Sequence, residues 1–457
     1  MASQPLSYLL PDELDLEGVR QQLSTSNTLR EEAVSEASQT FYDSFDWRIW
    51  QAGGELAHET GEGGRLCWFD RRSGEPQACV QTDQPPDFSE KLPPGPLRER
   101  LTAALEMRIV LPQVRILQKL RTLRVLDEEE KTVVRVVLQE NRYASPDGSL
   151  SGELEGRVQL LPLKGYDDYF ESLRSQLDGL GLIASERTLY DDALLGIGRK
   201  AGDYSSRLNY QLDPDARADA TAKKIMLSLL DTLEANVEGS KANLDSEFLH
   251  DLRVATRRTR SAMTQIKGVF EPKALQPFKQ GMGWIGKVTG PTRDMDVYLL
   301  QFPAYRASLP AAVQADLDPF HEFLIRHHAE AQRTLVRKLN SPHFRKLIKS
   351  WRAWLNKPVP EKPKAPNALR PISELSDQRI RKLYSQVLKA GAAIAPDSPP
   401  ERLHDLRAPA GTIMAMGILV GRLFERQAVA REDFAALFAA FSSEDNRRAF
   451  QKLFGSQ

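Results

Sequence analysis

At 457 residues the chain exceeds the size at which a single hydrophobic core stops growing, so two domains are expected. The 62 Lys+Arg balance 62 Asp+Glu over the whole length, so net charge points to no class of partner. Two cysteines, Cys67 and Cys79, are too few for a disulfide framework and match no common zinc spacing, which predicts a pair of reduced thiols and no metal site.

The neutral total hides a division along the chain. Residues 221–457 carry 37 Lys+Arg against 24 Asp+Glu, and residues 1–220 carry 25 against 38. The halves have opposite character, as expected of a basic ligand-binding module tethered to an acidic one or of two domains with complementary faces. Met1 to Asp12 lacks a basic stretch followed by an apolar one, and nowhere do 18 apolar residues run together. The expectation is a cytoplasmic protein with no membrane contact.

Residues 1–165 read as short alternating segments separated by turn signals such as Gly61-Glu62-Gly63-Gly64 and Pro146-Asp147-Gly148, a β-rich pattern. The clearest strands are Val114–Leu126 and Thr132–Leu138, where Arg115, Lys119, Arg121, Arg124 and Arg135 interleave with aliphatic residues. A strand with one apolar and one basic face is predicted, and a solvated, salt-bridged basic face is the usual outcome of such a pattern.

From Tyr166 onward the period becomes helical, with helices predicted over Asp167–Leu180 and Ala218–Glu238. Gly202–Asp215 reads as the joint between domains. Asn356–Pro371 holds five prolines and divides the helical region. The expected architecture is α+β: an antiparallel β tunnel-like domain over 1–205, then an all-α domain over 218–457. The latter is expected to form two sub-bundles, about 218–355 and 372–457, the second shortened.

His250-Asp251-Leu252-Arg253-Val254-Ala255-Thr256-Arg257-Arg258-Thr259-Arg260 carries the argument about function. At about 100° per residue, Arg253, Arg257 and Arg260 fall at roughly −60°, −20° and −80° from His250, with Leu252, Ala255, Ala262 and Met263 on the far side. Asp251, near +100° in the same projection, cannot neutralise the stripe. Like charges at these spacings repel by about 0.2–0.5 kcal/mol per pair, so the row calls for counter-charge from another helix or a bound anion. Arginine's planar fork suits phosphate oxygens, and the imidazole adds a donor. A solvated basic face is the alternative reading of the same pattern.

His404-Asp405-Leu406-Arg407 repeats the opening of this segment, as an internal duplication would. "FLHDLRVATRRTRSAMTQIKGVF" (Phe248–Phe270) and "WIGKVTGPTRDMDVYLL" (Trp284–Leu300) resemble the two signature segments of CHAD domains, the conserved-histidine α-helical domains. The likeness extends through Arg345–Trp354 and Pro371–Arg407. It implies two pseudo-symmetric helical bundles around a basic channel that binds inorganic polyphosphate. By resemblance the binding role falls to His250, Arg253, Arg257, Arg258 and Arg260, with His404 and Arg407 as second-repeat counterparts.

The later basic positions of the second repeat fall on Gly411, Thr412 and Met414, after Pro409, so half the implied lining is missing there. Gly290-Pro291-Thr292 ahead of Arg293-Asp294-Met295-Asp296 reads as a helix start capped by Thr292. In the functional reading of the same residues, Arg293 contacts the anion while Asp294 or Asp296 orients arginines. Lys223, Lys224, Lys267 and Lys287 are candidates for extending the basic surface.

In the front half, "TFYDSFDWRIWQAGGEL" (Thr40–Leu56), "LPQVRILQKLRTLRVLD" (Leu111–Asp127) and "LPLKGYDDYFESL" (Leu161–Leu173) resemble the CYTH family of triphosphate-tunnel proteins. That family opens on a Glu-x-Glu-x-Lys strand, and aligning Tyr8–Asp12 puts Ser3, Pro5 and Ser7 at those positions. The resemblance therefore implies a tunnel without its metal carboxylates, with Lys119, Arg121, Arg124 and Arg135 as remaining basic residues and Glu140, Glu153 and Glu155 as isolated acids.

Polyphosphate binding, with targeting to or regulation at polyphosphate granules, is thus the leading expectation, with no catalytic residue and no cofactor. A metal-dependent inorganic triphosphatase, needing magnesium or manganese, is the alternative. A nucleic-acid binder is the second alternative, weakened because the stripe from His250 carries no aromatic residue for base stacking. Oligomeric state is not legible.

Overall fold

The computed structural model describes residues 5–60, 63–185, 187–206 and 212–393, and the chain divides into two compact units at Ser205/Ser206. The first unit opens with β1 (Leu6–Leu9), α1 (Leu16–Ser26), β2 (Thr28–Glu31), β3 (Ser35–Asp43) and the single turn α2 (Arg48–Gln51). β4 (Gly54–Thr60), β5 (Arg65–Asp70), β6 (Pro76–Gln81) and α3 (Pro96–Leu105) follow. Three long strands come next, β7 (Leu111–Leu126), β8 (Thr132–Ala144) and β9 (Ser151–Pro162). α4 (Asp167–Gly179), β10 (Ile183–Ala184) and α5 (Leu189–Gly196) close the unit.

The ten strands form one sheet in the order β10-β1-β9-β8-β7-β3-β4-β5-β6, with β2 also pairing β7 and every pairing antiparallel. Alternation along β7 and β8 sends Leu123, Val125, Val134, Val136 and Leu138 into a core with Phe170 and Leu173 of α4 and Val19 and Leu23 of α1. Val114 and Ile116 join a second core with Tyr190, Ala193 and Leu194 of α5. A third packs β4 and β5 on α3.

One expectation is overturned in this sheet. Cys67 and Cys79 are not free thiols. They stand opposite each other in the β5–β6 register and form a disulfide, with Cα atoms 4.2 Å apart. Their separation of 12 residues is the reach of a hairpin that brings the two strands side by side.

The second unit is helical as described: α6 (Ala218–Ala235), α7 (Val237–Ala242), α8 (Ser246–Gln265) and α9 (Pro272–Ala307), then α10 (Asp318–Leu339), α11 (Pro342–Asn356) and α12 (Ile372–Ala392). The helix predicted over Ala218–Glu238 breaks at Asn236, a fully buried side chain that bonds the Thr232 carbonyl. The core joins apolar faces of α6, α8, α9 and α11 around Trp351. α8 begins where the Asp245 carboxylate accepts from the Glu247 and Phe248 N–H groups. Gly239 admits α8 at this end, since a Cβ there would meet the Phe248 ring at 2.2 Å.

α9 runs 36 residues, about 54 Å at 1.5 Å per residue, straight through Pro277, Pro291 and Pro303. The helix start expected at Thr292 is therefore absent. Thr292 and Asp296 are buried in the middle of a continuous helix packed on α8 and α10.

Candidate polyanion site

The far side of α8 is core, as its period predicts: Leu252, Ala255, Ala262 and Met263 are all buried, and Thr256 and Thr259 return their hydroxyls to the carbonyls of Leu252 and Ala255. The opposite edge carries His250 and Arg253, both half-buried, and Arg257 and Arg260, both exposed. Arg253 Nη1 donates to the Gly286 carbonyl at 3.1 Å and to Thr289 Oγ1 at 2.9 Å, both on α9. Burial pulls this guanidinium below its ordinary value, and the nearby Asp294 and Asp296 act against that shift.

Among the described residues, neither Arg257 nor Arg260 makes a side-chain hydrogen bond or ion pair. The surface α9 presents to this row is low, because Gly286 and Gly290 lie beneath it. A Cβ on Gly286 would stand 3.7 Å from Arg260 Nη1, and one on Gly290 would stand 3.7 Å from Arg253 Nη1.

The remaining expected site residues lie elsewhere. Arg258 turns away from the row and donates to the Ser206 carbonyl at 3.1 Å. Arg293 is mostly covered, donating to the Ser246 carbonyl at 3.0 Å and standing 3.9 Å from Glu247, which ties α9 to the start of α8. Asp296, read from sequence as a first-turn acid or a guide for arginines, lies 2.8 Å from His328 Nε2 of α10, its carboxylate accepting from the ring N–H. Lys223 lies over the Trp354 ring and bonds backbone carbonyls of Trp354 and Lys357, whereas Lys224, Lys267 and Lys287 are exposed. His404 and Arg407, with Pro409, Gly411, Thr412 and Met414, lie outside the described residues.

Residues 224–437 match the family model of the CHAD domain. The helical unit carries a CHAD domain. The match begins inside α6 and takes in the whole α8–α9 edge just described. No curated protein matches the chain significantly.

Partial structural likenesses exist. The crystal structure of the CHAD domain from the plant Ricinus communis is 23% identical over 54% of this chain and 91% of its own, with a TM-score of 0.36. PptA from Streptomyces chartreusis is 15% identical over 50% of this chain and 88% of its own, with a TM-score of 0.36. A candidate adenylyl cyclase from Hippeastrum with a dominant triphosphatase activity is 11% identical over 44% of this chain and 99% of its own, with a TM-score of 0.30.

In the β unit the four basic residues expected together are divided. Lys119 and Arg121 share one face of β7, whereas Arg124 and its register partner Arg135 of β8 share the other, because side chains alternate along a strand. Lys119 stands opposite Glu140, 3.5 Å away. Arg121 donates to Glu17 at 2.9 Å and lies 3.4 Å from Glu31. Arg124 bonds Thr132 and approaches Glu32 at 3.9 Å.

A concavity lined by Leu16, Glu17, Val34, Lys119, Arg121, Leu138 and Glu140 remains on the first of these faces. The Arg20 and Arg121 forks hold Glu17 down at about 2. Glu153 and Glu155 are exposed, and Ser3 lies outside the described residues. Among the described residues, no group of three His, Cys, Asp or Glu side chains is placed to hold a metal ion, and no helix is long and apolar enough to cross a membrane.

Sequence reasoning missed the carboxylates with the most unusual surroundings. Asp43 is 2% exposed, accepts backbone N–H bonds from Ser44, Ile49 and Trp50, and is pushed up to about 7 by burial. Burial, with Asp191 nearby, pushes Glu55 up to about 7 as well. Asp43 caps the one-turn α2, a signal too short for the helical period to reveal.

Proposed function

We propose that the CHAD domain binds inorganic polyphosphate along the α8 edge of His250, Arg253, Arg257 and Arg260. The observation that carries this reading is the unbalanced row itself: Arg257 and Arg260 are exposed beside Arg253 with no acidic partner among the described residues. Neighbouring guanidinium groups raise one another's energy, and a chain of phosphates supplies matching charge at a spacing that a flexible polymer adopts. The hydrogen bonds that hold Arg253 go to neutral groups, Thr289 and the Gly286 carbonyl, with Asp294 and Asp296 nearby. The protein is proposed to act in the cytoplasm, at polyphosphate granules, without a cofactor.

In this reading the β unit is a non-hydrolytic companion. The pairing of Lys119 with Glu140 across β7 and β8, and of Arg121 with Glu17 of α1, supports it, since a triphosphate there would have to displace these acids. Titration of the full chain with long-chain polyphosphate, pyrophosphate and single-stranded RNA at two salt concentrations tests the proposal. Polyphosphate is expected to bind tightest, with an affinity that falls with salt. Equal affinity for RNA would overturn it in favour of general polyanion binding. Release of phosphate from tripolyphosphate with added magnesium or manganese would overturn the non-hydrolytic reading.

A further inference from the structure

Arg253 differs from the arginines that follow it in how its nitrogens are used. Nη1 has two protons, and both are spent on α9, one on the Gly286 carbonyl and one on Thr289 Oγ1. Thr289 is fully buried, and its own hydroxyl proton goes to the Ile285 carbonyl at 2.8 Å, which turns an oxygen lone pair toward the guanidinium. The other edge, Nε and Nη2, keeps its N–H groups, and no described residue accepts from them. That edge is the one a guanidinium uses to grip two oxygens of one phosphate.

We infer that Arg253 is the fixed anchor of the row and that Thr289 is its positioning residue, the two together setting where one phosphate of the chain docks. The inference rests on the polyphosphate reading above. Arg257 and Arg260, exposed and unbonded among the described residues, contribute charge without a fixed direction. The low surface at Gly290 leaves Arg253 room to lie against α9, where a side chain longer than a Cβ would crowd Nη1. A guanidinium already ordered by the protein loses less freedom on binding than a swinging one, so fixing it strengthens binding without adding charge.

Charge and position therefore separate in experiment. Thr289→Val removes the acceptor while keeping the shape and the net charge. It is expected to weaken long-chain polyphosphate binding about three- to tenfold while leaving the dependence of log affinity on log salt unchanged. Thr289→Ser is expected to restore wild-type affinity. Arg253→Lys keeps the charge but not the fork, so it should weaken binding with the same unchanged slope. Arg257→Ala should instead flatten the slope.

The measurement is a polyphosphate titration of full-length variants at two ionic strengths, with melting followed by circular dichroism. If Thr289→Val does not fold, Arg253→Lys decides alone. Wild-type affinity in the folded Thr289→Val and Arg253→Lys variants, with a flattened slope in Arg257→Ala, would overturn the anchor and leave polyphosphate binding standing. No binding by the wild-type chain would remove both.

Discussion

His328 Nε2 of α10 lies 2.8 Å from Asp296 Oδ1 of α9, with both side chains largely buried. The pair ties α10 to α9 five residues beyond Pro291, which lies inside the same continuous helix. A buried hydrogen bond to a charged group contributes about 1.5–3 kcal/mol, and losing one partner strands the other. His328→Ala is expected to lower the melting point of the helical unit, and Asp296→Ala to do the same. The double variant should cost less than the sum of the two. A thermal double-mutant cycle checks this, and strictly additive effects would show that the contact contributes nothing.

The arginine row makes a second, opposite stability prediction. Arg257 stands four residues from Arg253 and three from Arg260, so replacing it with alanine removes two repulsive pairs worth about 0.2–0.5 kcal/mol each. Without ligand, Arg257→Ala should unfold at a slightly higher urea concentration than wild type. With polyphosphate added the order should reverse, because the wild-type chain gains more from the ligand. Urea midpoints measured with and without polyphosphate give the answer, and a variant less stable in both conditions would mean that Arg257 has an acidic partner after all.

Much of this edge is legible in the sequence. The 3.6-residue period separated Leu252 and Ala255 from Arg253 and Arg257 because both faces of one helix follow from spacing alone, and α8 keeps that division. The β7 strand read as Val114–Leu126 likewise spans Leu111–Leu126, since β-branched alternation is a local property. What failed was what depends on partners. Which carbonyl receives Arg253, or that Thr289 stands beneath it, follows from how α8 lies on α9. Gly290-Pro291-Thr292 gave a correct local signal for a helix start that tertiary packing overrode. Arg124 was grouped with Arg121 by composition, yet an odd separation places them on opposite faces of the sheet.

Asp43 carries a pH prediction. Its ordinary value is 3.8 and burial pushes it to about 7, so between these values the folded chain holds a proton that the unfolded chain has released. The folded state then binds more protons, and stability is fully present below about pH 4 and is lost as pH rises through about 7. Hydrogen exchange in the β3–α2 segment, corrected for intrinsic rates, should be slower at pH 5.5 than at pH 7.5. Asp43→Asn should weaken this dependence without abolishing it, because Glu55 is shifted in the same direction. The variant should also be less protected at the lower pH, since one of the three backbone donors loses its acceptor.

The Cys67–Cys79 link tethers β6, an edge strand paired only to β5 among the described residues. Closing a loop of this size restricts the unfolded chain by roughly 3 kcal/mol in the chain-entropy view. Reduction, or Cys79→Ala, should raise hydrogen exchange first in Pro76–Gln81 while leaving α8 and its polyphosphate affinity unchanged. Peptide mapping without reductant would reveal the linked pair directly, and two alkylated cysteines in native protein would show that the thiols remain free.

The last prediction ties the site to the packing that orients it. Gly239 of α7 has no room for a side chain, because the Phe248 ring occupies the space where its Cβ would be. Phe248 lies two residues before His250 on α8, so displacing the ring moves the first turn of the helix that bears the row. Gly239→Ala should therefore destabilise the helical unit by about 1–3 kcal/mol through overpacking, although alanine favours helix more than glycine does. Polyphosphate affinity should fall as well, and trimming the ring with Phe248→Leu in the same chain should recover part of both losses. A Gly239→Ala protein with wild-type melting and affinity would mean that α7 shifts freely against α8, and that the entry of α8 does not depend on this glycine.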